Sequence, residues 1–93
     1  MNIYSQIAAC IIKEQQNIIG PLALREANKV VGLKVNSIED ISFDGDDKQI
    51  VGNLVQQYAK LFGSASIEIC KEAVQPLISR LPDADVPEIL KEQ

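Results

Sequence analysis

A chain of 93 residues, 46% hydrophobic and with a net charge of −4, is long enough for one domain. It is short enough to bury only somewhat over ~60% of its unfolded surface. It has no histidine and no basic run, which removes the commonest general base and zinc ligand and disfavours nucleic acid and anionic membranes as partners. The charge is uneven, because residues 35–47 carry five acids and no base.

The first helix is expected over about 2–19. Ile3, Ile7, Ile11 and Ile18 form its central stripe, Cys10 flanks it on one side, and Tyr4, Ala8, Ile12 and Ile19 widen it on the other. The resulting arc covers nearly half the circumference, wider than the ~100° of a surface helix. Such a helix is covered on two sides, by its own chain or by a second copy. Glu14 lies inside the arc, where it is expected to reach out to water or to a neighbouring base.

Gly20-Pro21 breaks the chain, and proline suits the first turn of the next helix. That helix is expected over 21–31, with Ala23, Leu24, Ala27, Val30 and Val31 inward and Gly32 as its stop. From Leu33 the helical period is lost. Leu33 and Val35 alternate with Lys34, Ile41 and Phe43 alternate with Ser42, and Asn36-Ser37 favour a turn, so the segment 33–43 fits either a short β-hairpin or an irregular connection that pins Ile38, Ile41 and Phe43 on the core.

The third helix, 46–62, opens on Asp46 as N-cap, with Gln49 at capping-box spacing. Its apolar face is Ile50, Val51, Leu54, Val55, Tyr58, Leu61 and Phe62, and Gly63 ends it. The fourth, 65–81, has the stripe Ile67, Cys70, Val74, Leu77, Ile78 and Leu81, with a kink expected at Pro76, or a break there with Pro76 opening a new turn. A last short helix is expected over 87–91, docked by Val86, Ile89 and Leu90, with the final residues frayed. The fold class is therefore mainly α: a single domain over 1–93, a small bundle of four to five helices, with room for a short β-hairpin at 33–43.

Two stretches fit a sharper motif and a plainer one alike. Ala59 and Gly63 have helix-turn-helix spacing, yet the helix that would read DNA carries Glu68 and Glu72 against Lys71, and acids repel phosphates. An αα-hairpin explains the same pattern. Asp40, Ser42, Asp44 and Gly45 fit the first, third, fifth and sixth positions of a calcium loop. Val51 then stands where a bidentate Glu is required, and a turn leading into the helix cap explains these residues as well. No metal, cofactor or catalytic residue is expected, since no serine has an evident base and no glycine-rich phosphate loop exists.

Cys10 and Cys70 both fall on apolar faces and read as reduced thiols. Met1–Lys13 does not read as a signal peptide, and no apolar run approaches the ~20 residues of a membrane span. A cytoplasmic location is expected. The function expected is a non-enzymatic helical protein-interaction or regulatory module. It would form a homodimer and bind a further protein partner, with Ile12, Ile19, Ile69 and Pro76 as candidate interface residues. A bundle holding a small apolar ligand and a helix-turn-helix DNA-binding protein are the alternatives.

Overall fold

In the computed structural model, which describes residues 2–91, the chain forms α1 (Ile3–Ile19), α2 (Leu22–Ala27), β1 (Leu33–Ser37), β2 (Asp40–Phe43), α3 (Asp47–Phe62) and α4 (Ala65–Ile78). Two single 3-10 turns follow, Asp83–Asp85 and Glu88–Leu90. The fold is mainly α with one antiparallel hairpin. The expected fraying of residues 92 and 93 lies outside the described residues.

Local chemistry places the helix starts. The Asn2 side chain accepts from the Ser5 N–H and caps α1. The Asp46 carboxylate accepts from the N–H groups of Lys48 and Gln49 at the head of α3, a cap of the kind that contributes ~1 kcal/mol. Gly20 and Gly63 end α1 and α3, each at positive φ with its N–H returned to the preceding turn.

Helix α1 is the centre of the molecule. Ile7, Ala8, Ile11 and Ile12 are fully buried, enclosed by α2, α3 and α4. The facing layer comprises Ala23 and Ala27 of α2, Val51, Leu54, Val55 and Tyr58 of α3, and Cys70 and Val74 of α4. Gln15 reaches into this core and its Nε2 donates to the Cys70 sulfur at 3.7 Å. The C-terminal turns close the far side. Val86 and Leu90 are buried, the Tyr4 hydroxyl donates to the Asp85 carbonyl, and the Lys48 ammonium donates to the Ala84 carbonyl.

Three boundaries differ from the sequence expectation. Helix α2 stops at Ala27, not at Val31, and Asn28 there ties the helix end to a strand, its Nδ2 also donating to the Leu24 carbonyl at 3.2 Å. Its Oδ1 accepts from the Val35 N–H at 2.8 Å and its Nδ2 donates to the Val35 carbonyl at 2.9 Å. The chain then tightens into three-residue turns, and Val31, expected inward, is 89% exposed. Helix α4 ends at Ile78 and not at Leu81, again passing into tighter turns from Leu77 and Ile78. It carries Pro76 within its last turn. The last helix, expected over 87–91, is a 3-10 turn over Glu88–Leu90.

The hairpin pairs Leu33 with Phe43, Lys34 with Ser42 and Val35 with Ile41. Gly32 makes its closure possible. At φ +84 a Cβ would stand 2.7 Å from the Asp44 carbonyl oxygen and 2.9 Å from Ile50 Cδ1, so only glycine fits. Asn28 anchors the same strand from the outside. Asn28→Ala removes both bonds to Val35 and is expected to lower the unfolding free energy by about 1–2 kcal/mol in urea titration. Asn28→Asp, which keeps the acceptor and loses the donor, is expected to fall between the two.

Candidate functional site

Among the described residues no group of three His, Cys, Asp or Glu side chains converges to hold a metal. Of the calcium-loop positions, Asp40 is engaged locally, its Oδ2 accepting from Asn36 Nδ2 at 2.9 Å, and Asp46, just beyond them, caps α3. A cleft of about 390 Å3 between α3 and the C-terminal turn is lined by Asp46, Lys48, Gly52, Asn53, Pro87 and Glu88, and the Lys48 ammonium there is engaged by the Ala84 carbonyl. Two apolar surfaces remain.

The first lies at one end of the bundle. Tyr58 is fully buried and its hydroxyl donates to the Ala23 carbonyl at 2.7 Å, which fixes the end of α3 beside the start of α2. Burial pushes the Tyr58 hydroxyl pKa well up. From the residue before it, Gln57 Nε2 donates to Glu26 Oε1 at 2.9 Å, and Lys29 Nζ lies 2.8 Å from Glu26 Oε2. These two bonds hold the Glu26 carboxyl below its ordinary pKa.

Beyond Tyr58 the packing stops. Leu61 and Phe62 are 47% and 39% exposed, although their spacing put them on the inward face. The correction has a simple cause: α3 runs a turn past the layer that covers it, and the chain bends away at Gly63. Ile18 and Leu22 flank the Gly20 bend at the same end and are 57% and 38% exposed. Val31, the fifth large apolar side chain exposed among the described residues, stands apart in the turn before β1.

The second surface is a groove of about 440 Å3 between α1, α4 and the hairpin turn. Its lining includes the small residues Ala9, Cys10 and Ala73, with Pro76, Leu77 and Ile38 around them and Gln6 and Glu39 as polar neighbours. Ile69, Ala73 and Pro76 stand at i, i+4 and i+7 on α4, so they share one outward stripe.

The four interface residues expected from the sequence therefore separate. Ile12 is fully buried in the core, which corrects its assignment, since α3 and α4 of the same chain already cover α1 there. Ile19 is half-buried at the bundle end beside Ile18. Ile69, half-buried, and Pro76, exposed, lie on the α4 stripe. Sequence reasoning missed Ile18, Leu22, Leu61 and Phe62 as a group. The available signal was their position, next to Gly20-Pro21 and Gly63, where helices end and neighbours run out.

The two thiols differ. Burial pushes the Cys70 pKa up to about 11 against the counter-effect of the Gln15 hydrogen bond, whereas Cys10 is half-exposed in the groove. A maleimide is expected to label Cys10 in the folded protein and Cys70 only as fast as the protein opens, checked by mass spectrometry of the digested adduct. Glu26 sets an acid dependence. With its folded pKa below the ordinary 4.5, the unfolded chain takes up the proton first as pH falls. The stability it contributes is present above that value and lost as pH falls through the folded pKa. Glu26→Gln is expected to flatten the urea midpoint between about pH 5 and pH 3 relative to the parent protein.

No family model matches the chain, and neither a curated protein nor a solved structure matches it.

Proposed function

We propose that this chain is a non-enzymatic interaction module that self-associates through the apolar end formed by Ile18, Leu22, Leu61 and Phe62. The observation that carries the reading is that four of the five large apolar side chains exposed among the described residues border the Gly20 and Gly63 bends, which the bond between Tyr58 and Ala23 brings to one end of the bundle. Single exposed apolar residues are ordinary on a protein surface, but four at one end of a bundle make a candidate contact surface. Ile19, half-buried beside them, continues the patch into the core. A two-fold association suits it, because one patch then covers its own copy.

The accessible surface, 5199 Å2, is close to the ~5,300 Å2 of an ordinary monomer of this mass, which supports a reversible, concentration-dependent dimer over an obligate one. No helix of the described residues is long and apolar enough to cross a membrane.

The groove supports a second reading, a small apolar ligand held over Ala9, Cys10 and Ala73. Its size falls within the range of small-molecule sites. The DNA-binding alternative gains nothing comparable, because Glu68 and Glu72 are exposed on α4 and Lys71 is 3.8 Å from Glu68.

Light scattering across a dilution series tests the main reading. The mass is expected to rise from 10.2 kDa towards twice that value as concentration increases. A Leu61→Asp/Phe62→Asp variant is expected to stay at the monomer mass with an unchanged circular-dichroism spectrum, since neither side chain belongs to the buried core. A mass constant at the monomer value, or a variant that associates as the parent does, removes the proposal.

A further inference from the structure

The two edges of the hairpin are not equivalent. The Asp44 N–H donates to the Gly32 carbonyl at 2.7 Å. In an antiparallel pair the hydrogen-bonded and non-bonded residue pairs alternate. Counting from Gly32 and Asp44, Leu33 and Val35 of β1 and Ile41 and Phe43 of β2 therefore turn their N–H and C=O groups away from the partner strand. On β1 these outward groups are engaged by the molecule itself. The Leu33 N–H donates to the Val30 carbonyl, and the Asn28 carboxamide takes both the N–H and the C=O of Val35, as a neighbouring strand would. On β2 no protein group among the described residues accepts from or donates to the outward groups of Ile41 and Phe43.

We propose that this open edge of β2 is a docking strand for an extended basic segment of another protein, which adds to the hairpin as a third strand. Backbone bonds to Ile41 and Phe43 supply the attachment. The choice of partner comes from charge. Asp40 and Asp44 are exposed at the two ends of the edge, Glu39 precedes them, and none of the three is in a salt bridge among the described residues. A second copy is a poor occupant. Two β2 edges pairing antiparallel about Ser42 put Asp40 of each copy opposite Asp44 of the other, and like charges directly opposite destabilise such a pair. The same geometry favours a strand with Lys or Arg at two positions four residues apart on the face of Asp40. The residues flanking its centre would lie beside Ile41 and Phe43 and are expected to be apolar, since those side chains pack against the core. This surface is separate from the apolar end, so the two proposals stand or fall independently.

The test is a titration of the isotope-labelled protein with the probe peptide acetyl-Lys-Val-Thr-Val-Lys-amide, read by amide hydrogen exchange. At a peptide concentration about ten times its Kd, mass action is expected to slow exchange of the Ile41 and Phe43 N–H groups about tenfold. Added salt is expected to weaken the effect, and the matching peptide with Glu for Lys is expected to give none. In the Asp40→Lys/Asp44→Lys variant, with its cross-strand nuclear Overhauser contacts intact, the preference is expected to reverse. Protection at Ile41 and Phe43 that appears without peptide and grows with protein concentration would assign the edge to a second copy and overturn the proposal. So would binding with no change at these two amides, or equal binding of both peptides.

Discussion

Helix α1 carries an apolar arc too wide for one neighbour to cover, and the placement of the other elements follows from that. Ile7, Ala8, Ile11 and Ile12 are all fully buried, and no single helix can reach the whole arc. Helices α2, α3 and α4 therefore surround it, and the hairpin packs across the part they leave. At about 25 cal/mol per Å2 of apolar surface removed from water, leaving such a stripe uncovered would cost a domain of this size a large part of its stability. The buried polar groups conform to the same enclosure. Gln15 finds a sulfur, Glu26 finds a lysine and a glutamine, and Tyr58 finds a carbonyl.

That enclosure is complete at the middle of α1 and incomplete at its end. The Gly20 and Gly63 bends lie at the same end of the bundle, tied there by the bond between Tyr58 and Ala23. Both bends turn the chain away before anything covers Ile18, Leu22, Leu61 and Phe62. The proposed self-association is thus a continuation of the core beyond the chain that built it. The groove beside Pro76 has a different origin: small side chains at Ala9 and Ala73 leave space between two helices that are otherwise in contact.

Much of this was legible in the sequence where the cause is local. The Asp46 cap, the Gly20-Pro21 break and the Gly63 stop each depend on residues a few positions apart, and the alternation of Leu33, Val35, Ile41 and Phe43 fitted a hairpin. What was not legible depends on residues brought together by folding. Asn28 stands at the end of α2 and bonds both to Leu24 behind it and to Val35 across the turn, a pairing that only folding brings about. Leu61 and Phe62 have the periodicity of a buried face, and periodicity gives the direction of a side chain without saying whether a neighbour extends that far. The width of the α1 arc was correctly read as requiring cover on more than one side. Which residues the chain itself covers was not, so Ile12 went to the interface and Ile18 to the core.

The measurement that tests the account most directly is a set of amide correlation spectra recorded from dilute to concentrated protein. Association through the bundle end predicts shifts that grow with concentration and are confined to the Ile18–Leu22 bend and to Leu61, Phe62 and Gly63, while Ile12 and the hairpin stay fixed. Shifts centred instead on Ile69, Ala73 and Pro76, or spectra unchanged over the whole range, would contradict it.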